Sequence, residues 1–194
     1  GRTSKTMQLS HMYSVRKHNP LAFLAIATIG ATRFTTDLRE FDRWYPGTYL
    51  QRIKEVRVEV MIGEEIVPVR GYISNDGVSF VRFVDSGNKR PIDNIRVFPG
   101  PDEDIAKLCY RRLQRRRHVD TMAFPEFKSA LHDERMRTIQ ARERNFFENV
   151  GLDSTWTIEI LPDQPLDLKK ITDVRVWFQY EALFDENLKR DLLP

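Results

Sequence analysis

Cysteine is nearly missing from this sequence. Cys109 is the single one in 194 residues, so the chain has no internal disulfide and no zinc site built on two or more thiolates. That scarcity suits a reducing compartment, and it equally suits a secreted chain whose core needs no covalent staple. Glycine is scarce too, nine residues without a cluster, which removes a glycine-rich phosphate cradle. The most apolar run, Leu21 to Ile29, is less than half of the roughly 20 residues a membrane-spanning helix needs, so no membrane contact is expected. Charge of one sign is not in excess. Thirty-one Lys and Arg against 28 Asp and Glu leave +3, which excludes a histone-like or polybasic tail as the identity of the whole chain. A G-x-S-x-G elbow and an H-E-x-x-H pair are also lacking, and no two of His11, His18, His118 and His132 stand at the i, i+4 spacing that puts two imidazoles on one helical face. The expectation is therefore no enzyme, no cofactor and no metal site.

What is present can build a core. Apolar residues make up 41% and aromatic ones 11%, a composition that folds, and the length suits one domain of ordinary size spanning 1–194. Gly1 in place of Met reads as an excised fragment or a tag scar of something larger. Asn19 offers a helix N-cap, Pro20 a first helical position and Gly30 a stop, so Leu21 to Ile29 reads as a short buried helix rather than a targeting segment.

Strand patterns follow. Phe34 to Asp37 suits a short strand, and Tyr45-Pro46-Gly47 marks a turn. Val56, Val58, Val60 and Ile62 alternate with Arg57, Glu59 and Met61, the period of a half-buried strand. Val67, Val69 and Ile73 lead to Asp76-Gly77 and the apolar run beyond it, a strong hairpin signal, and Ile92 to Phe98 suggests another strand. The texture then changes: Asp102, Glu103 and Asp104 precede Ile105, Leu108, Cys109 and Leu113 at helical spacing, with Arg115 to Arg117 at the far end, an arrangement that complements a helix dipole. Pro125 to Asn145 is a charged, weakly periodic stretch also read as helical. Beyond Gly151, Trp156, Ile158 and Ile160, and then Val174, Val176, Phe178 and Tyr180, return to strand alternation. The expected class is mainly β: an antiparallel β-sandwich with a short N-terminal helix and a helical, charged insertion over 101–146.

The sharpest electrostatic feature is the run from Lys107 to Val119, which holds Lys107, Arg111, Arg112, Arg115, Arg116 and Arg117 without an acid. On a helix, Arg111, Arg115 and His118 would share a side, giving a surface for phosphates or an acidic protein. An ordinary solvated helix end is the bland alternative, and only Tyr110 among the arginines could stack on a base, so nucleic acid is disfavoured. Cys109, on the apolar stripe, reads as a small buried hydrophobe rather than a nucleophile.

Two blocks carry a family resemblance. Asn19-Pro20-Leu21 is followed by Phe41-Asp42-Arg43-Trp44-Tyr45-Pro46-Gly47-Thr48-Tyr49-Leu50-Gln51-Arg52-Ile53-Lys54-Glu55-Val56, and Phe146 to Trp156 is followed by Ile171-Thr172-Asp173-Val174 and Tyr180. Together they resemble the C-terminal region of the A subunits of bacterial Tc toxin complexes, where a Tyr/Phe-Pro-Gly turn precedes an Arg-Ile-Lys-x-Val strand, a Ser-x-Trp strand follows, and the last strand carries Thr-Asp-Val and a Tyr. The motif residues are Tyr45, Pro46, Gly47, Arg52, Ile53, Lys54, Ser154, Trp156, Thr172, Asp173, Val174 and Tyr180. Met61 to Arg144 carries no such match.

The resemblance implies a β-sandwich that binds the B subunit at one end of a pentameric, pore-forming injection channel, in a secreted or cell-surface protein much longer than this chain. It implies docking rather than chemistry, with the motif residues structural and Arg111, Arg112, Arg115, Arg116 and Arg117 as candidate partner contacts. Two other classes compete. A carbohydrate-binding sandwich would use exposed Trp44, Tyr45 and Trp177 against sugar rings, although Trp156 and Trp177 are expected in the core. A nucleic-acid module would use the arginine helix and would lose affinity steeply with salt.

Overall fold

The structure, a computed structural model, describes residues 6–84, 110–116, 119–125 and 146–192. Strand β1 (Thr6–Ser14) runs into a single helical turn, α1 (Val15–His18), and then into α2 (Pro20–Ile29). The expected punctuation of α2 is all there: the Asn19 side chain accepts from the Ala22 amide at 3.3 Å, Pro20 opens the helix, and Gly30 closes it at φ 72°. Burial departs from expectation, because only Ala22 and Ile26 of this helix are buried.

Strand β2 (Ala31–Thr36) leads into α3 (Leu38–Trp44), a helix the sequence pattern did not suggest, capped by Asp37 accepting from the Arg39 amide at 2.6 Å. After the Tyr-Pro-Gly turn come β3 (Thr48–Ile62), β4 (Glu65–Val67) and β5 (Gly71–Val84). Among the described residues there follow β6 (Tyr110–Arg116), β7 (Asp120–Phe124), β8 (Asp153–Ile160), a 3-10 turn at Leu168–Lys170, β9 (Ile171–Phe184) and α4 (Glu186–Leu192).

These strands make two antiparallel sheets. One has the order β1-β9-β3-β4; the other has β2-β8-β5-β6, with β7 pairing the same edge of β5 ahead of β6. The sheets face each other through a column of rings. Trp156 of β8 lies 5.4 Å from Phe178 of β9, which lies 5.7 Å from Phe41 of α3, while Phe147 meets Trp156 edge-on at 5.1 Å. Val56, Val58 and Val60, Ile158, and Val174 and Val176 fill the layer around it, all buried. The expected β-sandwich is what the chain builds.

Three local readings need correction. Asp76-Gly77 is not a hairpin turn: β5 runs straight through it, and the register against β8 slips between Asn75 and Ser79. Asn75 accepts from the Gly77 amide at 2.9 Å and Asp76 from the Val78 amide at 3.0 Å, so the side chains that close turns here close a bulge, with Gly77 at φ 86°. A second slip between Met61 and Ile62 buries Met61 and leaves Ile62 half-exposed, reversing the alternation read from the sequence.

The third correction concerns the helical insertion over 101–146. Tyr110–Arg116 and Asp120–Phe124 are strands, with Arg111, Arg112, Arg115 and Arg116 paired in register to Phe83, Arg82, Ser79 and Val78. The helical signal at Leu113 is local, whereas the open edge of β5 offers a ladder of backbone hydrogen bonds, and pairing of that kind overrides a weak propensity. Arg117, Lys107, Cys109, His118, His132, the strand read at Ile92 to Phe98 and the helix read within 126–145 lie outside the described residues.

Trp156→Ala removes the ring that both sheets touch, and urea denaturation is expected to show a loss of about 3 to 5 kcal/mol. A loss below about 1 kcal/mol would mean that the sheets are held together elsewhere.

Candidate functional site

The motif residues of the two sequence blocks, far apart in the chain, interlock. Ile53 is buried, its amide donates to the Val150 carbonyl at 2.8 Å, and its own carbonyl accepts from the Asn149 amide at 2.9 Å. That exchange sits where the register of β3 slips against β9 between Ile53 and Glu55. Lys54 places its Nζ 3.3 Å from Asn149 Oδ1 and 3.7 Å from carboxylate oxygens of both Glu148 and Glu181, and Arg52 reaches Glu181 at 3.4 Å. Two residues of this connection, Phe147 at φ 62° and Asn149 at φ 64°, are left-handed without being glycine, a conformation that persists only where packing holds it. Phe147 is held by Trp156 and by its amide donating to Asp120 at 3.0 Å.

The remaining motif residues close corners of the scaffold. Tyr45 caps α3 through its amide to the Phe41 carbonyl at 3.0 Å, and Pro46 carries the chain on to Gly47. Gly47, at φ 91°, accepts from the Asp185 amide at 2.9 Å, and a Cβ on it would stand 2.7 Å from Lys189 Cβ and 2.8 Å from the Phe184 ring. The turn must therefore be glycine for the end of β9 and the start of α4 to close on it. Ser154 accepts from Asn75 Nδ2 at 2.8 Å; Thr172 donates to the Gly63 carbonyl at 2.8 Å; Asp173 accepts from Ser14 Oγ at 2.6 Å and from the Arg16 amide at 3.1 Å. Val174 and Tyr180 are buried, Tyr180 5.8 Å from Phe41, and burial raises the Tyr180 phenol well above its usual range. The Ser154, Thr172 and Asp173 side chains are committed to structure, whereas the buried Tyr180 hydroxyl has no hydrogen-bond partner.

Arg111, Arg112, Arg115 and Arg116 do not lie on the expected helix, because Tyr110–Arg116 is a strand at the edge of its sheet. Nor do the aromatic candidates form one platform. Trp156 is in the core as expected, but Trp177 is half-buried on the outer side of its sheet, donating to Glu59 with the Arg57 guanidinium 5.2 Å from its ring. Tyr45 packs partly against the core, and Trp44 alone is widely exposed, at 63%.

Two features the sequence reading missed gather at the end of the sandwich formed by β1, α1, α2 and α3. One is a shared carboxylate: Glu40 Oε1 lies 3.1 Å from His18 Nε2 and 3.4 Å from His11 Nε2. The His11 contact lacks hydrogen-bond geometry, so its Nε2, on a residue only 6% exposed, has no hydrogen-bond partner. An open cleft of about 270 Å³ beside this corner is lined by Tyr13, His18, Thr35, Asp37, Arg39, Glu40 and Arg43. Burial, helped by Glu40 and Asp37, pushes the Tyr13 phenol up to about 12. Among the described residues no cluster of His, Cys, Asp and Glu could hold a metal ion. The second feature is the outer face of α2, where Leu21, Leu24 and Ile29 are 80, 58 and 74% exposed. Local spacing gives no sign of the first; the second is the apolar run itself, turned outward.

Residues 1–74 match the family model of the Tc toxin complex TcA C-terminal TcB-binding domain. The resemblance read from the first sequence block stands on that stretch, which takes in α2, the shared carboxylate, the Tyr-Pro-Gly turn and Arg52 to Lys54; the second block lies beyond it. No curated protein matches the chain. Among solved structures, the cryo-EM structure of Yersinia pseudotuberculosis TcaA-TcaB is 10% identical with a TM-score of 0.41, over 93% of this chain and 10% of that one. That of Morganella morganii TcdA4 is 13% identical with a TM-score of 0.40, over 93% of this chain and 8% of that one. The chain thus spans a tenth or less of the length of these Tc toxin proteins.

His11 and His18 both titrate below the ordinary histidine value of 6.5, chiefly through burial, with Glu40 opposing the shift in each; Lys17 and Arg43 add to it at His18, where Asp173 opposes it. The folded chain therefore resists protonation more than the unfolded chain does. The stability this contributes is complete above pH 6.5 and is lost as the pH falls below it, through the lowered folded values. Denaturation midpoints are expected to drop between pH 7.5 and 5.5, and to drop less in His11→Gln/His18→Gln. An equal drop in the double variant would assign the pH dependence to other groups.

Proposed function

We propose that the chain is a non-enzymatic docking domain of a Tc-toxin A-like subunit and binds a B-type subunit of a toxin translocation complex. The observation that carries this reading is the family match over residues 1–74. The use made of the motif residues supports it. Ser154, Thr172 and Asp173, side chains that elsewhere serve as nucleophile or base, are engaged in closing the scaffold, and Arg52 and Lys54 are engaged with Glu181 and Glu148. A scaffold locked in this way meets a partner with little loss of conformational freedom, the condition under which a moderate contact area gives useful affinity. The parent protein is read as secreted or carried on a bacterial surface and as homopentameric, both properties of the longer chain.

The test is titration of the chain with a B-type subunit from the same source. Saturable one-to-one binding with a Kd at or below about 1 μM is expected for a specific interface of standard size. No binding at low salt, where charge steering is strongest, would overturn the reading.

A further inference from the structure

We infer that the outer face of α2 is the contact surface for the partner, and that it takes an apolar patch rimmed by acidic residues on a B-type subunit, an inference that rests on the docking reading above. Leu21, Leu24 and Thr28 stand at i, i+3 and i+7 on one side of the helix, and Ile29 flanks them at its end. All four are exposed. The face presents no polar group that would lose a hydrogen bond on being covered, since the Thr28 hydroxyl already donates to the Leu24 carbonyl at 2.8 Å. No charged residue lies within Pro20–Ile29. A surface of this kind is covered at little polar cost.

The surroundings say what covers it. Besides strands β2 and β9, two short elements pack against α2: α1, and the 3-10 turn at Leu168–Lys170. They contribute Arg16, Lys17, Lys169 and Lys170, all exposed, and the Arg16 guanidinium lies 5.7 Å from the Phe23 ring. The exposed acid beside them, Asp167, is engaged with the Lys169 amide at 3.1 Å. The apolar stripe is thus flanked by four cations and one carboxylate, a net positive rim whose complement is a patch with an acidic rim. Charge arranged in this way governs encounter and register, while the apolar centre governs residence. The three large side chains are few for holding a lipid surface, and the helix offers no Trp or Tyr of the kind that sits at a membrane interface. The face also lies within the residues that match the TcB-binding model.

The experiment compares the whole chain, Leu21→Asp/Leu24→Asp, Lys169→Glu/Lys170→Glu and Ile66→Ser, the last altering an exposed apolar residue on β4, each titrated against the B-type subunit. Exposed positions leave the fold intact, which thermal melts verify. The expected result is at least about a tenfold weaker Kd for the leucine variant, a slower association rate with a shallower salt dependence for the lysine variant, and wild-type binding for Ile66→Ser. Wild-type binding by Leu21→Asp/Leu24→Asp overturns this surface and leaves the docking reading standing. No binding by the unaltered chain overturns the docking reading and this inference with it. Two further measurements close the alternatives: co-sedimentation with phosphatidylcholine/phosphatidylserine vesicles that the leucine variant loses would assign the face to a membrane, and self-association that it loses would assign it to a second copy.

Discussion

Everything described above hangs on the contact between Trp156 and Phe178, because it is where one sheet touches the other through large, fully buried rings. A sandwich is stable only if each sheet covers the apolar face of the other, and at Trp156 the fit is fixed in direction as well as in area. Its indole nitrogen donates to Thr36 at 3.1 Å, and the Thr36 hydroxyl in turn donates to the Leu152 carbonyl, so β2, β8 and the segment leading into β8 share one buried hydrogen-bond chain. On the far side Phe178 hands the contact to Phe41, which carries α3. Arg82 and Asp42 then tie α3 to β5 through two charge-assisted bonds of 2.7 and 2.8 Å in a largely buried setting.

That arrangement explains why the two sequence blocks are needed together. The connection before β8 supplies Phe147 to Trp156 and, three residues on, Val150 to the bulged part of β3. The Tyr-Pro-Gly turn before β3 is closed by the end of β9 and the start of α4 through Gly47. The motif residues are thus the joints of a rigid body, and recognition is left to what the joints hold outward. The end carrying α2 is such a region: the same Asp173 that begins the core run of β9 accepts from Ser14 and Arg16, so the helical end is fastened directly to the central strand.

Much of the fold was legible because it is written locally. Val174, Val176, Phe178 and Tyr180 alternate without interruption, and the Asn19, Pro20 and Gly30 punctuation of α2 is complete in sequence. What failed depended on distant partners. Asp76-Gly77 carries the chemistry of a turn, but the pairing of β8 along the whole of β5 draws it into a bulge. Leu113 and its arginine neighbours have no strong preference, and the free edge of β5 decides for them. The exposure of α2 was hidden for another reason: an all-apolar helix has no polar face to show which side meets water. The corner of His11, His18 and Glu40 could not be read at all, since it arises only when β1, α1 and α3 converge.

The account's central claim is that a rigid sandwich presents one end, built around α2, to a partner. Hydrogen–deuterium exchange of the chain with and without a B-type subunit tests it most directly, because it reports on every described element without any substitution. The account predicts added protection over residues 15–30 and 166–170, with the amides of β8 and β9 slow to exchange in both states. Protection confined to β4 or the β6 edge, with 15–30 unchanged, would contradict it.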